Sequence, residues 1–307
     1  MQTLHSPDQF RSGGRKVSVA IGTFDGVHLG HQQVIRQAVA DARQHEGLAV
    51  VVTFDRHPNS IVAPDRVPPQ IYSPPQKLRA LASLGADATL VIPFTREFSA
   101  RPAEDFIRTL IAQLAPVQSV CVGSSFVFGR KRSGDVALLQ RLGAELNFVV
   151  HGLAAVSLDG EMVSSTRIRE ALRAGEINRA SQMLGREYAL AGMVVRGDAM
   201  GRQLGFPTAN LDPRGLLVPP SGVYAAHARV AETQHRAAVN IGVRPTLGSL
   251  VPELRVEAHL LDFTGDLYDQ EIELTFVAKL RDEQKFSSLE ELRAQIARDV
   301  TAARGKF

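Results

Sequence analysis

The sequence of 307 residues is long enough for one large or two ordinary domains, and 44% hydrophobic residues supply a core, which excludes a disordered chain. Lys and Arg (35) barely exceed Asp and Glu (32), and with a net charge of +3, 6% aromatic residues and no basic stripe the chain does not read as a nucleic-acid-binding regulator. Cys121 is the single cysteine, so no intramolecular disulfide forms, and its neighbours Val120 and Val122 mark a buried strand thiol suited to a reducing compartment. The leader MQTLHSPDQFRSGGRK lacks the apolar stretch of a signal peptide, and no run of roughly 18 apolar residues follows it. The expectation is a cytoplasmic protein with neither a nucleic-acid nor a membrane partner.

Residues 16–22 (KVSVAIG) predict a strand, and from His31 onward Val34, Ile35, Ala38, Val39 and Ala42 recur at helical spacing until Gly47 can end the helix. Residues 48–54 (LAVVVTF) are apolar without alternation, as in a parallel strand covered on both faces. Strand, helix, strand in this order predicts a right-handed crossover. A segment with Pro58, Pro64, Pro68, Pro69, Pro74 and Pro75 follows; about 20 residues is too long for a mere connection and predicts a lid or binding flap. Next come a helix around QKLRALASLG, the strand ATLVIPF, a helix opened by Pro102 with Glu104 and Asp105 in its first turn, and the strand SVCVGS. The alternation predicts a doubly wound parallel sheet.

In VSLDGEMVSST an Asp159-Gly160 turn joins two short strands, after which Ser165 or Thr166 caps a helix beginning RIREAL, with a second helix up to Leu184. From Tyr188 the texture becomes β-rich: ALAGMVVRG, GVYAAHARV, RAAVNIG, LRVEAHLLDF and EIELTFVAKL, punctuated by Gly and Pro, predict a small antiparallel barrel. A last helix opens at Ser287, with Glu290 completing a capping box, and its face of Leu289, Leu292, Ile296 and Val300 should pack on the barrel's outside. The expected organisation is α/β, with domains at 1–187 and 188–307.

The segment GTFDGVHLGH, residues 22–31, sets two histidines three apart where a strand hands over to a helix. Taken singly, one would cap the helix and the other sit in the core. A helix start after a parallel strand, however, collects unsatisfied amides and the positive end of the dipole; it favours phosphate, imidazoles add directed donors, and Gly30 admits close backbone approach. The pair resembles the HxGH signature of the nucleotidyltransferase superfamily. SSTRIR, residues 164–169, adds hydroxyls and guanidiniums suited to phosphate, although an ordinary capped helix explains it equally well alone.

Together GTFDGVHLGH, TFDRHP, VGSSFVFGRKRSG and SSTRIR resemble, in order and spacing, the bacterial bifunctional riboflavin kinase/FMN adenylyltransferases. The resemblance implies a Rossmann-like nucleotidyltransferase domain in which His28 and His31 are catalytic and Gly22, Phe24, Asp25, Gly30, Ser164, Ser165, Thr166 and Arg167 bind ATP. It further implies that His57, Ser125, Phe126 and Phe128 meet the flavin while an FMN oxygen attacks the α-phosphorus, giving FAD and pyrophosphate. Ser125 stands where the family usually has Asp or Asn, and Arg56 where it usually has Pro. An alternative reading motivated by Ser125 keeps a riboflavin kinase beside a weak or regulatory adenylyltransferase domain.

GRQLGFPTANL, residues 201–211, places Thr208 and Asn210 two apart on an extended stretch, as neutral oxygen donors able to hold Mg²⁺ already carried by a nucleotide. In VEAHLLDF the alternation puts Glu257 and His259 on one open face opposite Val256 and Ala258. With NIGVRPT and LRDEQKF following in order, this half resembles the riboflavin kinase module. The resemblance implies that Glu257 is the general base on the ribityl 5′-hydroxyl, with Gly201, Gly205, Phe206, Pro207, Asn240, Arg281 and Phe286 about ATP and flavin. For Arg281 and Phe286 a surface salt bridge and a packed aromatic are nearly as good an account. His227, His235 and His259 lack the spacing of a zinc site.

Overall fold

The computed structural model describes residues 1–198, 200–244 and 253–307, and its contacts divide the chain into two units, Met1–Gln70 with Pro74–Ser165, and Ile71–Ser73 with Thr166–Phe307.

In the first unit, strands β1 (Gln2–Leu4), β2 (Val17–Ile21), β3 (Leu48–Phe54), β4 (Ala88–Ile92), β5 (Val117–Gly123) and β6 (Val149–Leu153) form a wholly parallel sheet ordered β1-β4-β3-β2-β5-β6. The apolar runs are buried on both faces. Val19, Val50, Val52 and Val120 meet helices α5 (Ala103–Leu114) and α6 (Val136–Leu146) through Phe106, Ile107, Leu110, Leu139 and Leu142. Their neighbours Ala20, Val51 and Cys121 meet α1 (Leu29–Gln44) and α3 (Pro74–Ala82) through Val34, Ile35, Ala38 and Leu81. Cys121 is fully buried, and burial together with Asp41 pushes its thiol pKa up, so it stays an inert core thiol. The doubly wound sheet is thus as expected.

Among the elements of the sheet and its main helices, β1, α6 and β6 fall outside the expected set. β6 is an edge strand whose His151 and Gly152 break its apolar run, and β1 is only three residues long. The proline-rich segment is not structureless: it holds α2 (Asn59–Val62) and a 3₁₀ turn at Pro64–Arg66, while Pro74 and Pro75 open α3, where their missing amides cost nothing. A further short helix, α4 (Arg96–Ser99), follows β4. The hairpin of β7 (Ser157–Leu158) and β8 (Glu161–Met162) turns on Asp159 and Gly160, both at positive φ, as expected for that pair. One cap differs. Helix α7 (Ser165–Arg173) already includes Ser165, whose hydroxyl donates to the Asp25 carbonyl (3.0 Å) instead of capping the helix.

In the second unit, α7 continues into α8 (Ile177–Leu184), and a closed antiparallel barrel follows in the order β10-β13-β12-β11-β14-β9. Its strands are β9 (Ala189–Val195), β10 (Ala209–Leu211), β11 (Gly222–Val230), β12 (Thr233–Arg244), β13 (Glu253–Leu260) and β14 (Glu271–Arg281). The short helix α9 (Met200–Gln203) lies between β9 and β10. The barrel interior is packed with side chains: Tyr188 stacks on Phe276 (5.9 Å, 10°), Tyr224 meets the same ring edge-on (5.3 Å), and the two hydroxyls donate to the Leu217 and Pro220 carbonyls.

Helix α10 (Leu289–Arg304) packs on the outside against β11, β12 and β14, as expected, but its N-cap is shifted by one residue. Ser288, not Ser287, is the N-cap and accepts from the Glu291 amide, while Glu291 reaches back to the amide and hydroxyl of Ser287. Leu289, the first helical residue, is 63% exposed, while Leu292, Ile296 and Val300 of the expected face turn inward with the buried Asp299 and Ala303.

Candidate active sites

The first site grows from the carboxyl end of β2. The chain leaves the sheet through Gly22, over which the Phe24 ring lies so closely that a Cβ there would sit 2.9 Å from it. Phe24 is itself buried, with φ at +50°, and presents its ring edge to His31 at 5.2 Å. After a 3₁₀ turn at Asp25–Val27, His28 caps α1: its Nδ1 accepts the His31 amide at 3.3 Å. The two imidazoles stack at 3.6 Å with 19° between their planes. Because Nδ1 of His28 is an acceptor, the neutral ring carries its proton on Nε2. Gly30 lies below, where a Cβ would come within 3.2 Å of the His28 ring. Cap and core, the two ordinary roles for these histidines, therefore combine with a helix N-terminus. Ser165 joins this turn through Asp25, and Ser164 precedes it half-buried; Thr166, exposed, and Arg167, half-buried, follow in the first turn of α7.

The residues expected at the flavin are placed unevenly. His57 Nδ1 accepts the Asn59 amide (3.1 Å) and so fixes the loop after β3. Ser125 is exposed, and half-buried Phe126 stacks on Phe128 (5.2 Å, 17°). Phe128 packs within the core against Phe106, so it backs Phe126 rather than opening to solvent.

Lys77 was not legible from sequence. It projects from α3 to the end of β3, where its ammonium donates to the Phe54 carbonyl (3.0 Å) and the Thr53 hydroxyl (3.4 Å). Burial pulls its pKa below the ordinary lysine range, against the charges of Asp25 and Asp55. In the sequence it is one lysine on an amphipathic helix, with no signal to separate it from a solvated one.

The second site lies on the outer wall of the barrel. Register places Glu257 of β13 directly opposite Asn210 of β10 on one side and Asn240 of β12 on the other. Val256, Ala258 and Leu260 point into the core while Glu257 and His259 stay half-exposed, as the alternation predicted. All three residues of the row line a cavity of about 400 Å³, together with Thr208, His259, Arg281, Phe286, Gly201 and Phe206. Residues of α10 close its far side, among them Leu292 and Ile296. Gly201 must be glycine-small: a Cβ would meet the Phe206 carbonyl at 2.5 Å and the Thr208 hydroxyl at 3.1 Å. Gly205, at φ +89°, turns the loop, and the Pro207 carbonyl lies 2.8 Å from Nδ1 of His259; neither residue lines the cavity itself.

Arg281 is bound through two nitrogens to Asp299 of α10 (2.9 and 2.6 Å), with the Phe286 ring 5.9 Å away. The pair is largely buried rather than a surface bridge. Thr208 and Asn210 offer hard oxygen donors to the same cavity as Glu257, a set that fits Mg²⁺ already carried on phosphate. No group of three or more His, Cys, Asp or Glu able to hold a metal ion occurs among the described residues. Positions 245 and 246, the end of NIGVRPT, lie outside the described residues.

Comparison with known proteins identifies the family. The family described as FAD synthetase matches residues 11–167 and the family described as riboflavin kinase matches residues 184–307. The bifunctional riboflavin kinase/FMN adenylyltransferase of Escherichia coli K12 is 39% identical over 94% of this chain and 92% of its own. The chain belongs to the bifunctional riboflavin kinase/FMN adenylyltransferase family. The Pseudomonas fluorescens member is 37% identical over 99% of this chain and 97% of its own. A solved structure from Streptococcus pneumoniae, described as a macrolide-efflux protein, shares the fold end to end, with a TM-score of 0.83, 29% identity and 99% of both chains covered. Among the described residues no helix is long and apolar enough to cross a membrane.

Within this family the two modules take the two reactions. The parallel sheet with its histidine pair belongs to the FAD synthetase match, and the barrel with the Asn210–Glu257–Asn240 row belongs to the riboflavin kinase match.

Proposed function

We propose that the chain makes FAD from riboflavin in two ATP-dependent steps, with the residues of the barrel row carrying the first and the stacked histidines the second. The observation that carries this reading is the separation of two complete donor sets, each built within a region that matches one enzyme of the pair. In the first step Glu257 takes the proton of the ribityl 5′-hydroxyl, whose oxygen attacks the γ-phosphorus of ATP; the bond to the bridging oxygen breaks and ADP leaves with FMN as product. Thr208 and Asn210 hold Mg²⁺, which when bound neutralises charge on the ATP phosphates. Asn240, Arg281 and Phe286 frame the flavin end.

In the second step an FMN phosphate oxygen attacks the α-phosphorus of a second ATP and pyrophosphate departs. The Nε2 proton of His28 and the imidazole of His31 donate to phosphate oxygens as charge builds, and Gly22, Asp25, Gly30, Ser164, Ser165, Thr166 and Arg167 supply the rest of the phosphate cradle. His57, Ser125 and Phe126, backed by Phe128, take the isoalloxazine. The adenylyltransferase occupies residues 1–187 and the kinase 188–307. The dependence on ATP and the single reduced thiol of Cys121 suit the cytoplasm.

The test is to incubate the full chain with riboflavin and MgATP and resolve riboflavin, FMN and FAD over time. His31→Ala should leave FMN formation intact and lower FAD formation roughly 100- to 1,000-fold, the loss seen for one oxyanion-type donor. Glu257→Ala should block FMN formation while added FMN is still adenylylated. FMN without FAD from the unaltered chain would favour the weak adenylyltransferase reading, for which the exposure of Ser125 is the specific observation.

A further inference from the structure

Lys77 has no role in the scheme above, yet it occupies the junction from which the adenylyl-transfer residues spring. Its Nζ donates to the Phe54 carbonyl at the end of β3 (3.0 Å) and to the Thr53 hydroxyl (3.4 Å). That hydroxyl in turn donates to the Thr23 carbonyl (3.0 Å), in the segment that leads from β2 into the histidine turn. The ammonium thus holds the end of β3, which leads to His57, and reaches the segment leading to His28 only through the Thr53 hydroxyl.

Charge makes the position more specific. Asp25 and Asp55 are the carboxylates acting on Lys77, and Asp55 is pinned in turn by the Phe94 amide (2.8 Å) and by Arg56 (2.9 Å). Two carboxylates beside a nucleotide triphosphate would repel it, and a partly buried ammonium between them offsets that repulsion where water screens poorly. A buried cation is itself costly to desolvate, and a leucine would fill this face of α3 without that cost.

We propose that Lys77 is a positioning residue for adenylyl transfer: it ties the loops that follow β2 and β3 and neutralises Asp25 and Asp55 beside the bound polyphosphate. This rests on the reading of the first unit as the adenylyltransferase. The riboflavin kinase of the same chain is an internal control, because Lys77 belongs to the other unit.

In the full chain, Lys77→Met should lower kcat for adenylylation of added FMN at least tenfold, shift KM for FMN less than threefold, and leave riboflavin phosphorylation within twofold of the unaltered protein. Lys77→Gln keeps a donor toward Phe54 without the charge and should be equally impaired; Lys77→Arg keeps the charge and should recover a measurable part of the rate. Full adenylylation by the Met variant, or full recovery by the Gln variant, overturns the proposal. A parallel fall of both activities, or failure of the Met and Gln variants to fold, also overturns it and assigns Lys77 to stability alone. If the unaltered chain makes no FAD, it is the reading of the first unit that fails.

Discussion

In the proposed reading His28 performs two tasks through its two ring nitrogens. Nδ1 accepts the His31 amide and so starts α1, and that hydrogen bond leaves the proton on Nε2, where a phosphate oxygen can use it. The tasks can be separated by substitution. Asparagine is a good N-cap but no imidazole, so His28→Asn should hold the melting temperature while FAD formation collapses. His28→Ala should lose both the activity and about 1 kcal/mol of stability, seen as a fall of roughly 2–4 °C in thermal unfolding. The histidine pair, Ser164 and Ser165 and Glu257 were all legible as residue types at a fixed spacing. Lys77 and the Arg281–Asp299 pair were not, since a lysine or arginine on an amphipathic stretch looks the same whether solvent or a carboxylate receives it.

At the scale of elements, loops carry the chemistry and strand register aligns it. The loop from α9 to β10 passes so close over Gly201 that a methyl group there would strike the Phe206 carbonyl and the Thr208 hydroxyl. Gly201→Ala should therefore slow riboflavin phosphorylation about tenfold, an estimate taken from the cost of sub-ångström misplacement, and leave the adenylylation of added FMN unchanged. In the parallel sheet, Asp87 before β4 binds the Ala49 amide of β3 (2.8 Å) and Arg43 of α1 (2.8 Å). Burial raises its pKa, but the Arg43 guanidinium and the Ala49 amide outweigh burial and hold the carboxyl below its ordinary value. A carboxylate depressed on folding stabilises above its unfolded pKa of about 3.9 and loses that effect as pH falls through the folded value. Asp87→Asn should accordingly be less stable than the unaltered protein at neutral pH, with the gap closing on acidification below about pH 4 in chemical unfolding curves.

At the scale of the whole molecule, one chain joins two folds that need different things from sequence. The doubly wound sheet relies on runs such as LAVVVTF that are covered on both faces, whereas the barrel relies on alternation such as that of VEAHLL. If the two sites work independently, with free FMN passing between them, mixing the His31→Ala and Glu257→Ala chains with riboflavin and MgATP should restore FAD. A rate rising with the concentration of both chains would show this, and its absence would mean that FMN does not leave the chain that made it.

The sequence by itself determined the fold class and the order of the principal strands and helices, and its motifs marked the residues proposed for phosphate, because apolar periodicity and motif spacing are local properties of the chain. Tertiary structure alone decided what depends on distant segments meeting: the edge strands β1 and β6, the exposure of Leu289 at the start of α10, the alignment of Asn210 and Asn240 on either side of Glu257, and the burial of Lys77 against the end of β3. The physical reason is register and desolvation. A residue's cross-strand neighbours follow from how strands pair, and its charge environment from which elements exclude water around it, neither of which is written in the residues beside it.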